Sequence, residues 1–235
     1  MMAVAAKRPG LSAVMPAFNE EANVAGAIAA VTAAIEPLFE QIEVIVVDDG
    51  SHDATAEKVR EAARTDPRVR LLQHEVNRGY GAAVTTGLRA ATLPLVFYTD
   101  ADLQFDPRQI SDLLARIDDA PIVVGYRRNR QDPWHRKLNA WAWNMLQWMF
   151  FGLAVRDVDC AFKLLRREVI AAIDLAAEGA FFSTELLLRA KAKGFAIVEV
   201  PVDHYPRRAG APTGARLGVI SRAFREMWRL RGELR

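Results

Sequence analysis

EVIVVDDG, residues 43–50, is a run rich in β-branched residues that stops at two aspartates and a glycine. Such a run predicts a strand buried on both faces, and Asp-Asp-Gly predicts the turn that ends it. Similar apolar runs predict further strands at 11–16, 69–73, 93–100, 121–126, 159–165 and 196–200. Helical patterns alternate with these strands and cover residues 23–34, 54–65, 79–91, 107–117, 167–176, 183–193 and a segment from 215. The expected fold is therefore α/β, a mostly parallel central sheet with helices on both faces.

The composition excludes several classes of protein. With 51% hydrophobic and 26% charged residues among 235, the chain is not mainly disordered. Cys160 is the only cysteine, which excludes an internal disulfide and a cysteine-based zinc site. The first ten residues lack the apolar core of a signal peptide, so we expect a cytoplasmic protein. We expect one domain over residues 1–210 and a basic C-terminal helix over 211–235.

Positive charge is concentrated in two segments. Residues 127–137 hold five Lys or Arg and one acid, and residues 207–235 hold eight Arg and two acids. The net charge of the whole chain is only +2, so the remainder is acidic. This asymmetry predicts an anionic partner on the basic side.

An acidic cluster, Asp100-Ala101-Asp102-Leu103-Gln104, follows one of the predicted buried strands. Asp100, Asp102 and Gln104 place two carboxylates and an amide oxygen at alternate positions, at the edge where parallel sheets bind ligands. Such oxygens suit Mg²⁺ or Mn²⁺, which complete their coordination with substrate phosphates and water. The alternative is a solvated acidic turn.

Two other strand ends carry polar groups. Asp48 and Asp49 can accept hydrogen bonds from a ribose hydroxyl or a base imide, or they can simply stabilise a turn and a helix start. After the first strand, Pro16 ends the ladder, Phe18 offers a stacking face, and Glu20 can cap the next helix.

The order of the motifs carries a resemblance. PAFNEE (16–21), VVDDGSHD (46–53), NRGYGAA (77–83), DADLQ (100–104) and GYR (125–127) are followed by DVDCAFK (157–163), FFSTELLL (181–188), EVPV (199–202) and RRAG (207–210). This series resembles the family 2 glycosyltransferases, above all the branch of dolichol-phosphate mannosyltransferase and its bacterial polyprenyl-phosphate relatives. The resemblance covers roughly residues 11–210.

The resemblance implies a GT-A fold, a Mg²⁺ or Mn²⁺ cofactor and inverting transfer of a sugar from a nucleotide diphosphate sugar to a polyprenyl or dolichyl monophosphate. The donor would be of the GDP-mannose or UDP-glucose type. The implied donor residues are Pro16, Phe18, Glu20, Asp48, Asp49, Asp100, Arg207 and Arg208. The implied metal ligands are Asp100, Asp102 and Gln104, and the implied acceptor-phosphate residues are Arg127, Arg136 and Arg208. Asp102 and Arg127 are the implied catalytic residues.

The sequence departs from the family mainly on the acceptor side. Cys160-Ala161 stands where Ser-Gly is frequent, and Ala140 stands four residues after Arg136, where Ser is common. A phosphate acceptor is already anionic and needs a cationic cradle, whereas a hydroxyl acceptor needs a general base, for which Glu185 is the candidate. A membrane-docked, nucleotide-sugar-binding partner without turnover is another alternative, which the intact DADLQ motif disfavours.

Two segments predict contact with a membrane surface. Residues 134–152 predict a helix that contains four of the five tryptophans and follows a basic stretch. It is either a core helix or an interfacial helix lying on the bilayer, and the C-terminal helix is either solvated or attracted to anionic lipid. The arginines lack a neighbouring aromatic stacking platform, so nucleic acid is not an expected partner. The expectation is a peripheral protein on the cytoplasmic face of the membrane.

Overall fold

The centre of the fold is a seven-stranded sheet. The structure is a computed structural model that describes residues 6–128, 145, 147–207 and 217–233. The strands are β1 (Arg8–Ala17), β2 (Phe39–Asp48), β3 (Val69–Gln73), β4 (Leu95–Thr99), β5 (Ile122–Arg128), β6 (Phe162–Arg166) and β7 (Ile197–Asp203). Their spatial order is β3-β2-β1-β4-β6-β5-β7, with β6 antiparallel to both neighbours and every other pair parallel. The expectation of a mostly parallel sheet is confirmed.

Helices cover this sheet. They are α1 (Val24–Ile35), α2 (Thr55–Thr65), α3 (Tyr80–Ala90), α4 (Ile110–Leu114), α5 (Arg167–Ala172), α6 (Phe182–Ala192) and α7 (Leu217–Glu233), with a 3₁₀ helix (Pro107–Gln109) before α4. α1 packs against α2 and the 3₁₀ helix, and α3 packs against α5 and α6. Residues 11–17 of β1 and 43–48 of β2 are all buried. Since the side chains of a strand alternate between faces, both faces of the sheet are covered.

Three predicted elements differ from the structure. The strand expected at 159–165 begins only at Phe162, because residues 157–160 form a turn in which Cys160 N donates to Asp157 O (3.2 Å). The helix expected at 107–117 is the 3₁₀ helix followed by α4, which ends at Leu114. The helix expected at 134–152 lies mostly outside the described residues; within this range 145 and 147–152 are described, and 145 and 147–151 are helical.

Close packing at Gly87 fixes α3 against the sheet. A Cβ atom at this position would lie 2.3 Å from Cγ1 of Val14 and 3.1 Å from Cγ2 of Val47. Only a glycine lets the helix backbone approach β1 and β2 so closely. Because α3 follows β3, its first residue, Tyr80, lies towards the edge where the parallel strands end.

The C-terminal helix α7 packs on the domain. Met227 and Leu230 are buried, and Oε1 of Glu226 accepts hydrogen bonds from the backbone N–H groups of Glu178 (3.2 Å) and Gly179 (3.1 Å). The expected boundary between residues 210 and 211 lies outside the described residues and stays a prediction. Among the described helices, none combines the length and the apolar character that crossing a membrane requires.

Candidate functional site

The polar residues that follow the parallel strands meet at one edge of the sheet. Ala17 at the end of β1 is in register with Asp48 at the end of β2, and β4 beside β1 leads into Asp100. The strand-end rule therefore brings together the three polar clusters found in the sequence. The loops after β1, β2 and β4 form the candidate donor site.

Asp100 carries an unsatisfied carboxylate oxygen. Its Oδ1 atom is buried and finds no hydrogen-bond partner in the described part of the chain. Burial, followed by the neighbouring Asp102 carboxylate, raises the pKa of Asp100 to about 7, although the Tyr80 hydroxyl and the charges of Arg127 and Lys163 oppose this shift. Two carboxylates in one poorly solvated place repel each other, so a bound cation would stabilise both.

Asp102 and Gln104 belong to a tight turn after β4. Leu103 between them has a φ of 60°, a left-handed conformation that is uncommon outside glycine. Oδ1 of Asp102 accepts a hydrogen bond from Gln104 N (3.1 Å), which opposes the rise in the pKa of Asp102 caused by burial. The Gln104 side chain donates through Nε2 to the backbone oxygen of Tyr205 (3.1 Å). The turn thus holds both side chains in defined orientations.

These residues fit a divalent metal that binds together with a substrate. Within the described ranges, no three His, Cys, Asp or Glu side chains converge on a common metal position. Two carboxylates are nevertheless enough for Mg²⁺ or Mn²⁺ when a diphosphate and water supply the other ligands. The Asp100 oxygen that has no partner among the described residues fits such a partial ligand set.

Residues 203–207, here called the strap, lie against this turn. Asp203 N donates to Oε1 of Gln109 (2.9 Å) and Tyr205 N donates to Gln104 O (2.8 Å). At the end of the strap, Arg207 pairs with Glu20, and its Nη1 atom lies 3.8 Å from Oδ2 of Asp102. Two residues predicted for the donor site, Glu20 and Arg207, are therefore in direct contact.

Asp48 and Asp49 are buried and bonded within the protein. Oδ1 of Asp48 accepts from Ser51 N (3.1 Å) and Oδ2 from Gln73 Nε2 (3.0 Å). These bonds stabilise the turn after β2. The predicted role of Asp48 in donor binding stays a prediction.

The Asp49 carboxylate joins two motifs. It accepts hydrogen bonds from the backbone N–H groups of Arg78 (2.9 Å) and Gly79 (2.8 Å), and Nδ1 of His74 lies 2.7 Å from Oδ1. Asp49 thereby holds the segment directly before Tyr80, the residue that reaches Asp100. This bonding favours a positioning role, and contact with the donor stays a prediction.

Phe18 and Pro16 lie at the end of β1. Pro16 is buried opposite Val47, and the half-buried ring of Phe18 meets the His52 ring edge to face at 6.2 Å. Asn19 next to it has a φ of 55° and accepts a hydrogen bond from His52 N (2.9 Å). Two rings beside a strand end suit a stacked nucleobase, a role that stays a prediction.

Arg127, at the end of β5, is held by Asp157. Its Nε and Nη2 atoms each donate to the Asp157 carboxylate at 2.7 Å, and its backbone N–H donates at 3.1 Å. Asp157 was not singled out as a site residue from the sequence, although it opens the DVDCAFK motif. Tyr80 was missed in the same way, inside NRGYGAA. Arg136 and Arg208 lie outside the described residues.

Glu185 does not present an uncommitted oxygen. It is buried in the first turn of α6, where Oε2 accepts from Ala176 N (2.9 Å) and Ala177 N (2.6 Å) and Oε1 accepts from Arg189 Nε (2.8 Å). A general base needs an oxygen that can take a proton from the substrate. The bonding favours a structural role, and the predicted catalytic role remains untested.

An exposed apolar patch lies on the segment around residue 148 and on α7. Trp148 is 58% exposed, Met149 66% and Trp228 60%. The Phe150 ring meets Trp228 at 5.8 Å, and the Arg231 guanidinium lies over both rings. The patch therefore joins the segment around residue 148 to α7.

Comparison with known proteins assigns the family. A sequence model described as glycosyl transferase family 2 matches residues 12–174, well over half of the chain. The chain belongs to glycosyl transferase family 2. The matched region contains both acidic strand ends and the whole DVDCAFK motif.

Curated relatives of this family 2 chain include undecaprenyl-phosphate 4-deoxy-4-formamido-L-arabinose transferases. The protein from Aeromonas hydrophila is 36% identical over 203 residues, and the protein from an Enterobacter species is 35% identical over the same length. In both cases the match covers 85% of this chain and 61% of the relative. The chain thus spans about three fifths of the length of these relatives.

Solved structures show the same fold. Glucosyl-3-phosphoglycerate synthase from Mycobacterium tuberculosis, in complex with phosphoglyceric acid, superposes with a TM-score of 0.73 at 22% identity, over 95% of this chain and 80% of that chain. The same enzyme with Mn²⁺, UDP-glucose and glycerol 3-phosphate gives a TM-score of 0.71. The likeness concerns the fold and confirms the GT-A fold that was expected from the motifs.

Proposed function

We propose that this chain is an inverting glycosyltransferase that moves a sugar from a nucleotide diphosphate sugar to a polyprenyl monophosphate. The observation that carries the donor half is the unsatisfied Asp100 oxygen beside Asp102 at the end of β4. The acceptor half of the proposal is supported by the names of the curated relatives, which are undecaprenyl-phosphate sugar transferases. We propose a GDP-mannose- or UDP-glucose-type donor and either Mg²⁺ or Mn²⁺ as the metal.

In this proposal the residues at the strand ends bind and orient the donor. Asp100, Asp102 and Gln104 would hold the metal, which supplies positive charge against the leaving diphosphate. Glu20 keeps Arg207 beside Asp102, where its guanidinium can contact the diphosphate. Phe18 and His52 flank the place proposed for the base, and Asp48 and Asp49 support the adjoining turns.

The acceptor side requires positive charge rather than a base. A phosphate monoester is anionic at neutral pH, so its oxygen can attack the anomeric carbon as the bond to the diphosphate breaks, and no proton has to leave. Asp157 orients the Arg127 guanidinium through Nε and Nη2, which leaves Nη1 outside that pair. We propose that Arg127, with Arg136 and Arg208, binds the acceptor phosphate. Since the oxygens of Glu185 are engaged, a hydroxyl acceptor with Glu185 as base is disfavoured.

We also propose that the exposed patch docks on the cytoplasmic face of a membrane. Tryptophan is favoured at the interface between lipid and water, and Arg225 and Arg229 are exposed on the same helix as Trp228. Docking through this patch would hold the protein at the surface that carries a lipid-linked phosphate. The exposure of Trp148 and Met149 supports the interfacial interpretation of this segment.

A panel of nucleotide sugars tests the proposal. Each is added with Mg²⁺ or Mn²⁺, binding is measured by thermal shift, and every binder is then assayed for transfer to a short polyprenyl phosphate. We expect metal-dependent stabilisation by one nucleotide class and a glycosyl phosphate product of inverted configuration. Metal-dependent binding without transfer, or transfer only to hydroxyl acceptors, would contradict the acceptor assignment.

A further inference from the structure

Lys163 is a positively charged side chain buried in the middle of the sheet. It lies on β6 with no exposed surface, and among the described residues its ammonium group forms no ion pair with a carboxylate. Instead, Nζ donates to the backbone oxygens of Val158 (2.9 Å) and Cys160 (2.5 Å) and lies 5.2 Å from the centre of the Tyr98 ring. Burying a charge is costly unless strong hydrogen bonds compensate it. We therefore expect this buried cation to have a structural or functional role.

The ammonium group keeps its charge. Burial lowers the pKa of Lys163, but the neighbouring Tyr98 and Cys160 side chains and a hydrogen bond with Tyr98 outweigh this effect, so the pKa lies above its usual value. Lys163 therefore acts on its surroundings as a cation with three hydrogen-bond donors.

The two carbonyl groups that Lys163 binds belong to the turn at residues 157–160. In this turn Cys160 N donates to Asp157 O (3.2 Å). The Asp157 carboxylate in turn holds Nε and Nη2 of Arg127 at 2.7 Å each. A continuous series of hydrogen bonds thus leads from Lys163 through the turn to the Arg127 guanidinium.

The position of Lys163 in the sheet places this series between the two halves of the site. Lys163 is in register with Tyr98 on β4 and with Val124 on β5. Towards the site edge, Asp100 follows β4 on one side, and Arg127 lies in β5, one residue before its end, on the other. Because β6 is antiparallel to both, the turn before it, rather than the loop after it, lies at the edge that binds ligands.

We propose that Lys163 is a positioning residue for the acceptor half of the site. Its ammonium group holds the 157–160 turn in the one shape in which Asp157 presents the Arg127 guanidinium to the acceptor phosphate. This inference rests on the proposed function, since the phosphate is the group that Arg127 would bind.

A double-mutant cycle tests this relay. Lys163→Met keeps the side-chain length but removes the charge and the donors, and Arg127→Ala removes the guanidinium. We expect Lys163→Met to lower kcat/KM for polyprenyl phosphate about 10- to 100-fold, the usual effect of a misplaced contact, while metal-dependent donor binding stays within about threefold. In the Arg127→Ala background, Lys163→Met should have little further effect, because the two residues act in series.

Two further variants separate positioning from stability. Lys163→Gln retains an amide donor for one carbonyl without the charge, so its KM for the acceptor should lie between those of the wild type and Lys163→Met. It replaces Lys163→Met as the test if that variant does not fold. The matched control is Glu43→Gln. Glu43 is also buried, bonded to Ser12, Thr92 and Arg70, but lies towards the opposite edge of the sheet. This variant should lower stability and leave the acceptor KM unchanged.

The outcomes distinguish the two levels of the proposal. If the wild-type protein does not glycosylate polyprenyl phosphate, the proposed function fails and this inference fails with it. If the wild type is active but the effects of Lys163→Met and Arg127→Ala multiply, or donor binding falls as much as acceptor use, only the positioning role is overturned.

Discussion

Arg207 forms an ion pair with Glu20, a residue 187 positions earlier in the chain. The pair ties the strap to the loop after β1, and it leaves Nη1 of Arg207 3.8 Å from the Asp102 carboxylate. Positive charge thus lies beside Asp102 in the proposed donor site. A diphosphate that enters would meet this guanidinium directly.

The first prediction concerns Arg207. Arg207→Met should weaken binding of the nucleotide diphosphate in the presence of Mn²⁺ about 10- to 100-fold, because one charge-assisted contact is lost. Binding of Mn²⁺ alone should be unchanged or tighter, since a positive charge near Asp102 is removed. Isothermal titration calorimetry measures both. Arg116→Met, at a surface pair with Asp119, is the control. Equal diphosphate affinity in wild type and Arg207→Met would exclude the contact.

The second prediction concerns the metal. Asp102→Asn should abolish the Mn²⁺-dependent stabilisation by the donor, because the substitution removes a charged ligand. The fold should stay intact, because Asp102 lies in the turn after β4. Thermal shift with and without Mn²⁺ is the measurement. Asp106→Asn, four residues further on and paired with Arg108, should retain the effect. A normal Mn²⁺ response in Asp102→Asn would remove this residue from the metal site.

The third prediction concerns Asp49. Asp49→Asn should lower the free energy of unfolding by about 2–4 kcal/mol, because a buried carboxylate that accepts two backbone N–H bonds and faces His74 is replaced by an amide. Urea unfolding measures it, with Asp174→Asn, an exposed partner of Arg89, expected to change stability by less than about 0.5 kcal/mol. Unchanged stability with a large loss of donor affinity would instead favour direct contact with the ribose.

The fourth prediction concerns Glu185. Glu185→Gln should lower stability by about 2–4 kcal/mol, since an amide cannot accept from Ala176 N, Ala177 N and Arg189 together. The transfer rate to polyprenyl phosphate, corrected for the folded fraction, should change less than about threefold. A loss of about 10²–10⁴-fold with normal stability is the signature of a general base and would reopen the hydroxyl acceptor.

The fifth prediction concerns the exposed patch. Replacing Trp148 and Trp228 by Ser should weaken binding to vesicles that contain phosphatidylglycerol by about 1–2 kcal/mol per tryptophan, because less apolar surface enters the lipid. Vesicle co-sedimentation at low and high salt measures it. Val76→Ser, an exposed apolar residue outside the patch, should have no effect. If the wild-type protein does not sediment with the vesicles, the patch serves another purpose.

The sheet and the acidic strand ends could be predicted because their signals are local. Buried parallel strands need unbroken apolar runs, and a carboxylate directly after such a run has to lie at the ligand-binding edge. The direction of β6 had no such signal. The five residues of β6 are compatible with a parallel or an antiparallel neighbour, and the choice depends on the path of the chain before them.

The roles of Asp49 and Glu185 were harder to predict for a different reason. Their partners are mostly backbone N–H groups, which every residue except proline provides, so no residue type marks the contact in the sequence. Asp157, Tyr80 and Lys163 did carry a signal, because each lies inside a quoted motif. Their contacts with residues of other motifs become apparent only in the folded structure.

The antiparallel direction of β6 has a consequence for how such enzymes can diversify. The loops proposed for the donor leave the strands β1, β2 and β4, whereas the turn proposed for the acceptor side enters β6 from the preceding residues. Most of the proposed donor loops therefore precede this turn in the chain, and the strap with Arg207 returns to the donor side after it. On the proposed function, a chimaera that takes residues 153–161 from a relative, with Lys163 retained to bind the new turn, should change the KM for the acceptor phosphate and keep the original nucleotide.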